Sequence, residues 1–466
     1  MSMVRVFSHF ISAKTVLLVI LEALVLLVAV RAGLSWRLGG PETVTAGSDG
    51  AIVNAAGLVL GMLVVLNSMG LYQLDDLKKG ASSIWVRLLA VLAICLGIAL
   101  LIAYLQPSLY LKSHGWAVTV IVALLGSGFI RLVFYVWGNH NLFKPRVLVL
   151  GTGSRVAKLA ASEQHNTNHV VVGYIERQAS THYVPLPRVL AMAQGESLLS
   201  VVEKHKVDQI VVAVRDRRDG GLLVRELLEC RLKGVGVTEL STFFEREYRQ
   251  VLLDSLNPSW MVLGEGFRQG LVRAAVKRSF DLIASGVLLL LTLPIMLIAA
   301  VCIVLESGAP VFYRQERVGQ GGRAFTICKF RSMNNSAERD GTPRWATAND
   351  DRTTRVGRII RKLRIDELPQ IINVFKGEMS FVGPRPERPF FVDKLNTQIP
   401  YYALRHAAKP GITGWAQVRY PYGASLDDAL EKLQYDLYYV KNHTLFLDLV
   451  ILFSTVEVVL WGKGAR

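Results

Sequence analysis

Four long apolar runs, at 15–31, 51–70, 86–105 and 116–137, fill the first third of the sequence and limit most sharply what the chain can become. Each approaches the ~20 residues an α-helix needs to cross the hydrocarbon core of a bilayer. The first has the length of a signal-peptide core. No small-residue cleavage site follows it, however, and three further runs do, so it reads as an anchor. Glu22 lies inside this run, where a carboxylate calls for a function or for a helix–helix or near-interface contact. Composition agrees with a membrane protein: 51% of residues are hydrophobic, 19% are charged and the mean hydropathy is +0.34.

Basic residues near the run ends set the orientation. Arg5 and Lys14 precede the first run, Lys78, Lys79 and Arg87 separate the second from the third, and Lys144 and Arg146 follow the fourth. Arg31 and Arg37 lie in one opposite loop and Lys112 in the other. This bias puts the N-terminus in the cytoplasm and returns the chain there after four spans. The net charge of +16 suits lipid headgroups or phosphorylated substrates. Nucleic acid is set aside, since neither zinc-finger spacing nor a single-stranded RNA motif is present. Cys95, Cys230, Cys302 and Cys328 show no C-x-x-C spacing and read as free thiols in a reducing compartment.

Residues 145–255 change character. Arg146–Leu150 reads as a buried strand leading into Gly151-Thr-Gly153 and a helix from about Ser154. Strands at His169–Ile175 and Gln209–Val214 and a helix at Leu222–Leu232 continue the pattern, which predicts a small parallel, Rossmann-like α/β domain. The Gly151-x-Gly153 turn would let backbone N–H groups approach a pyrophosphate, but Val156 holds the third glycine position. Glu176 alone stands near the place of a ribose-binding acid. The domain therefore reads as structural or regulatory and, having no evident catalytic duty, as the place for a homodimer contact.

After a linker at 256–272, residues 273–466 open with Arg273, Lys277 and Arg278. An apolar run from Leu282 to Leu305 follows, then Arg314, Arg317 and Arg323. Positive charge at both ends argues that both face the cytoplasm. Pro294, near the middle of the run, removes a ladder hydrogen bond and permits a turn back, so a re-entrant, broken membrane helix is expected. Thr444–Trp461 is long enough to span, but Asp448 and Glu457 interrupt it, and it is read as an amphipathic helix at the cytoplasmic interface.

The chemistry gathers farther in. Val356, Ile359, Ile360 and Leu363 recur at helical spacing, with Arg352, Arg355, Arg358, Arg361, Lys362 and Arg364 around them. A basic amphipathic helix on an anionic membrane satisfies both faces; a core-packed helix with a solvated basic side is the alternative. It leads into Asp366-Glu367. Nearby cations predict that both carboxylates stay ionised. An ionised Asp can attack phosphorus, and a neighbouring Glu can hold Mg²⁺. Around the pair stand Val311–Gly319, Lys329-Phe-Arg-Ser-Met333, Asn373–Pro386 and Lys409–Gln417, loops stiffened by glycine and proline, with Arg385 offering a planar fork to phosphate. Several cations converging on two carboxylates resemble a phosphate-handling site.

The ordered set Phe-Tyr-Arg-Gln-Glu-Arg-Val-Gly, Lys-Phe-Arg-Ser-Met, Asp-Glu-Leu-Pro-Gln, Val-Gly-Pro-Arg-Pro and Lys-Pro-Gly-Ile-Thr-Gly-Trp-Ala-Gln resembles the bacterial sugar transferase family. These polyprenyl-phosphate hexose-1-phosphate transferases begin exopolysaccharide, O-antigen and related glycans. The likeness covers nearly all of 273–466, and the regions ahead of it resemble the family's long form. It implies transfer of a hexose 1-phosphate from a UDP-sugar to undecaprenyl phosphate, with release of UMP, at the cytoplasmic face of the bacterial inner membrane. It also implies that Asp366 is the nucleophile of a phosphosugar-aspartyl intermediate and that Glu367 is its partner acid, with Mg²⁺ held by the pair. Lys329, Arg361, Arg385 and Asp436 match positions lining the site, and Arg331 of the Lys-Phe-Arg motif joins them as a candidate substrate-binding residue.

Two departures matter. Leu293 stands where the family often has Ser before the hairpin proline, with Thr292 one earlier as the candidate backbone-bonding hydroxyl. Val418–Gly423 replaces a Gly-Arg-Asn-like run and resembles a subgroup associated with exosortase-linked exopolysaccharide loci, so the donor sugar is not carried over. The expected architecture is a membrane α-helical bundle plus α/β. Four transmembrane helices occupy 1–144 and the Rossmann-like domain 145–255; the catalytic domain at 273–466 carries the re-entrant helix and amphipathic interfacial helices. Rival readings are a nicotinamide-dependent oxidoreductase, a non-catalytic membrane scaffold or nucleotide-binding regulator, and a transporter, for which the spans are few.

Overall fold

The computed structural model describes residues 3–6, 9–38, 49–72, 86–91, 93–95, 97, 113–138, 144–162, 169–176, 183–190, 192, 196–214, 224–255, 270–333, 352–421, 423 and 425–461. The chain forms two compact units, Met1–Val6 with Phe10–Tyr248, and Phe7–His9 with Arg249–Arg466.

A short strand pair, β1 (Met3–Val6) and β2 (His9–Ser12), opens the chain and runs into helix α1 (Ala13–Leu38). Helices α2 (Asp49–Ser68) and α3 (Ser113–Gly138) pack against α1. Leu26, Val30, Val59 and Leu66 are buried between them, while Leu24, Val28, Leu125 and Phe129 stay more than half exposed on the outer faces. Glu22 meets Arg131 of α3 at 2.7 Å, and both are fully buried. Arg131 also donates to the Leu71 carbonyl at 2.6 Å, so the polar group inside the first run is a helix–helix contact.

Among the described residues two helices are long and apolar enough to cross a membrane, Ala13–Gly33 within α1 and Leu271–Ser307. The runs at 51–70 and 116–137 are helical, with shorter apolar stretches at Val59–Ser68 and Ile121–Phe134. The run at 86–105 lies largely outside the described residues.

The α/β part of the first unit contains β3 (Arg146–Leu150), α4 (Ser154–Ser162), β4 (Val170–Ile175), β5 (Val189–Leu190), α5 (Leu198–Lys204) and β6 (Gln209–Val212). It ends with α6 (Val224–Leu232), β7 (Gly236–Glu239) and α7 (Leu240–Glu247). All five strands from β3 to β7 are parallel, in the order β5-β4-β3-β6-β7. The first strand is central and the chain reverses direction across it, which is the predicted Rossmann-like arrangement. Leu148, Leu150, Ile175, Val201 and Ile210 form its core, since central parallel strands are covered on both faces.

In the second unit, residues from Arg249 onward, read from sequence as the end of the α/β domain, pack with the C-terminal block. Trp415 Nε1 donates to the Arg249 carbonyl at 3.0 Å, and Val251 N–H to the Gln434 carbonyl at 3.0 Å. The long helix α8 (Leu271–Ser307) runs through Pro294 as one helix, not as the broken one expected. A proline deletes a single donor and the ladder on either side persists; Thr292 Oγ1 donates to the Leu288 carbonyl one turn back at 2.7 Å. The first turns of α8 are pinned by Lys277 to Asp448, by Arg278 to the Val374 and Phe375 carbonyls at 2.7 Å, and by Asp281, which accepts from Ser380 Oγ at 2.9 Å. At its other end Glu306 accepts the Arg355 and Val356 N–H groups at 2.8 and 2.9 Å.

An antiparallel hairpin follows, β8 (Phe312–Val318) with β9 (Ala324–Phe330), placing Tyr313 opposite Lys329. Next come α9 (Arg355–Lys362), a 3₁₀ turn at Ile365–Gln370, α10 (Ile371–Lys376), β10 (Ser380–Val382) and α11 (Pro389–Gln398). β11 (Gly411–Thr413) pairs parallel with β10, and α12 (Trp415–Arg419), α13 (Leu426–Asn442) and α14 (Leu445–Trp461) close the chain. Met296, Ala299 and Ile303 of α8 pack with Phe330 and Ile360. In α14, Leu447 and Ile451 are buried, and buried Asp448 bonds Tyr439 as well as Lys277.

Candidate active site

Asp366 and Glu367 occupy the 3₁₀ turn after α9. Thr354 caps α9, its hydroxyl accepting the Gly357 N–H at 2.9 Å, and Glu306 takes the next free donors. Beyond Leu363, Arg364 adopts the left-handed conformation (φ 58°), and this corner turns the chain into the carboxylate pair. Glu367 Oε1 lies 2.9 Å from both Lys329 Nζ and Arg385 Nη2, and Oε2 lies 3.6 Å from Arg364 Nη1. Asp366 is 9% exposed, and no hydrogen bond or ion pair reaches its carboxylate among the described residues.

The two acids therefore diverge. Burial works to raise Glu367, but Lys329, Arg385 and Arg364 outweigh it and hold this carboxyl well below the usual range. Burial, then the Glu367 charge, push Asp366 up to about 6 against the pull of Lys329, Arg364 and Arg361. The expectation of two equally ionised carboxylates is corrected here. The cations are committed to Glu367, and Asp366 carries the cost of its neighbour's charge.

The other candidate residues separate into groups. Lys329 and Arg385 join the pair directly. Arg361 acts on Asp366 through its charge while Nη1 donates to Thr353 Oγ1 at 3.2 Å. Asp436, fully buried, pairs with Arg405 at 2.8 Å; Arg405 in turn donates to the Arg385 carbonyl at 3.0 Å. Asp436 thus supports the Arg385 loop from behind instead of facing the carboxylates. Arg331 is buried and turned to the end of α8, donating to the Ser307 carbonyl and hydroxyl at 3.0 and 2.7 Å and to the Gly308 carbonyl. There it neutralises unpaired carbonyls at a helix C-terminus.

The Arg385 loop is stiff for a steric reason. A Cβ on Gly383 would collide with the Lys409 carbonyl, and one on Gly411 with the Gly383 backbone, so the two segments cross at van der Waals contact. Arg317, from β8, donates to the Pro386 carbonyl at 3.2 Å. Sequence reading passed over Arg405, Arg317 and the corner role of Arg364. Each acts through backbone carbonyls or a backbone conformation, and no residue spacing reports these.

Among the described residues no three His, Cys, Asp or Glu side chains gather as a metal cage. Mg²⁺ asks for less: one or two carboxylates, with phosphate and water completing the shell. Asp366 fits as a hard oxygen donor that no cation holds, whereas Glu367 Oε1 is already shared by two cations.

Residues 272–462 match the model of the bacterial sugar transferase family, and residues 67–219 match that of a CoA-binding domain. The UDP-glucose:undecaprenyl-phosphate glucose-1-phosphate transferase of Escherichia coli K12 is 41% identical over 364 residues, covering 76% of this chain and 75% of that relative. The chain belongs to the bacterial sugar transferase family. Within that family, UDP-N-acetylgalactosamine-undecaprenyl-phosphate N-acetylgalactosaminephosphotransferase of Aeromonas hydrophila is 43% identical over 261 residues, 56% of this chain and 61% of the relative. The chain thus spans less than two thirds of that relative's length. The Caulobacter vibrioides UDP-glucose:undecaprenyl-phosphate glucose-1-phosphate transferase is 42% identical over 216 residues, 45% of this chain and 80% of the relative.

Proposed function

We propose that the protein transfers a hexose 1-phosphate from a UDP-sugar to undecaprenyl phosphate, the first membrane step of exopolysaccharide or related glycan synthesis. The observation that carries this reading is the asymmetry of the acid pair: Glu367 is held by Lys329 and Arg385, and Asp366 is buried, unpaired and ionised above about pH 6. An Asp366 oxygen attacks the donor's β-phosphorus, the bond to the bridging oxygen breaks and UMP leaves with that oxygen. Asp366 then carries the sugar phosphate through an acyl-phosphate bond. An oxygen of undecaprenyl phosphate attacks the same phosphorus, releasing the Asp366 carboxylate and forming the sugar diphospholipid. Lys329, Arg385 and Arg364 offset the negative charge that two phosphates and two carboxylates bring together. Mg²⁺ held by Asp366, with Glu367 beside it, would supply further neutralisation of the phosphate oxygens.

The membrane setting follows the same logic. Leu290, Leu291, Leu297 and Ile298 of α8 are mostly exposed, although the helix's two ends are bonded to the same unit. A straight helix of this length would reach roughly 55 Å, beyond the ~30 Å hydrocarbon core. These facts support a re-entrant insertion bent at Pro294, with both ends at the cytoplasmic surface of the bacterial inner membrane. The first unit's helices then form the four-span anchor. On α9 and α10, exposed Ile359, Leu363, Ile372 and Phe375 beside basic residues suit the headgroup region.

The test uses purified protein with undecaprenyl phosphate, Mg²⁺ and a panel of UDP-sugars, following UMP release and labelled lipid. Asp366→Asn is expected to abolish both, and wild-type turnover in that variant would reject the nucleophile role. Chelating Mg²⁺ is expected to stop turnover; metal-independent activity would remove the ion from the scheme.

A further inference from the structure

Asn373 lies on α10, the helix that continues directly from the Asp366–Glu367 turn, and it is 2% exposed. Its side-chain amide makes three hydrogen bonds. Oδ1 accepts the Cys328 N–H at 3.1 Å, while Nδ2 donates to the Thr326 carbonyl at 2.8 Å and to Glu378 Oε2 at 2.7 Å. The first two partners flank Ile327 on the edge of β9 turned away from β8, in a sheet of two strands. The amide thus occupies that edge as a further strand's peptide group would. Glu378 accepts but cannot donate, which fixes the amide with its NH₂ toward Glu378 and Thr326. Lys329 is the next residue on β9 after Cys328, and its Nζ lies 2.9 Å from Glu367 Oε1.

We propose that Asn373 is a positioning residue for sugar-phosphate transfer, its amide fixing β9 against the acid turn so that Lys329 stays on Glu367 and Asp366 is left free to react. This inference rests on the transfer reading given above. Loss of the clamp frees β9 to shift, and misplacement of a reacting geometry by about 1 Å costs on the order of 100-fold. Such a loss falls on the chemical step more than on donor binding, because Lys329 reaches the donor's charge through Glu367.

The experiment measures kcat, KM for the UDP-sugar and melting temperature of the purified full-length protein with undecaprenyl phosphate. Asn373→Asp keeps the shape but cannot donate to Thr326 and sets an anion beside Glu378. Its kcat is expected to fall on the order of 10–100-fold, as for other supporting-shell changes, with KM within about threefold. Glu378→Gln leaves Asn373 in place and releases its orientation; about a three- to tenfold fall in kcat at the wild-type melting temperature is expected. The second variant decides the matter if Asn373→Asp fails to fold. Wild-type kcat in a variant that melts like the parent, or a loss confined to KM, overturns the positioning role. A wild-type protein that releases no UMP from any donor overturns the transfer reading instead.

Discussion

Asp366 and Glu367 share a turn, a charge type and the same set of cations, yet one is fixed as an anion and the other is held near about 6. The difference is which oxygen the cations touch, a matter of 2.9 Å contacts to Glu367 alone. Another buried titratable group shows the same dependence on surroundings. His169, in the α/β domain, is 6% exposed, and neither ring nitrogen has a hydrogen-bond partner among the described residues. Its ring meets Phe243 edge-on at 5.0 Å. Burial, then Arg246, lower it to about 4. The unfolded chain binds this proton from about pH 6.5 downward and the folded chain only below about 4. The stability from a neutral His169 is therefore complete above pH 6.5 and is lost as pH falls from 6.5 toward 4. Relative to pH 7.5 the expected loss at pH 5 is about 2 kcal/mol. Thermal melts of wild type and His169→Phe at those two pH values test this. A wild-type melting temperature that drops no more than the variant's would remove the argument.

At the scale of elements, α9 does most to build the site. Its apolar stripe was legible in the sequence, but a stripe reports a face and not what covers it. The fold splits the stripe: Ile360 goes into the core with Met296 and Phe330, while Ile359 and Leu363 remain exposed. The close seating of α9 comes from Gly357, where an added Cβ would collide with the Ser332 carbonyl, a backbone atom unable to swing aside. Gly357→Ala must therefore push α9 outward, along with Arg361 and the Arg364 corner. About 1–3 kcal/mol of stability should be lost, and UMP release should fall at least tenfold even in protein that stays folded. Melting curves beside the kinetic assay would show this, and an alanine variant matching wild type in both would place α9 elsewhere.

At the scale of the whole molecule, the first unit depends on a charge pair that no motif announced. Glu22 was visible as an acid in an apolar run, but its partner Arg131 lies 109 residues away. Removing one partner leaves the other buried and uncompensated, a loss of about 3–5 kcal/mol. Arg131→Met should lower the folded, detergent-extracted yield sharply, and Glu22→Leu with Arg131→Met should recover much of it. A double variant no better than the single one would show that the pair is not the reason. The sequence by itself determined the apolar runs, the parallel α/β domain and the family motifs around Asp366-Glu367, because hydrophobic periodicity and short glycine-proline loops are local properties. It also named Lys329 and Arg385. Only the tertiary structure decided that those cations lie on Glu367, that Asp436 acts from behind Arg405, that Arg331 closes a helix end, and that Arg249 onward packs with the C-terminal unit. Each of these turns on which distant backbone carbonyl or carboxylate a long side chain reaches, and reach is set by packing.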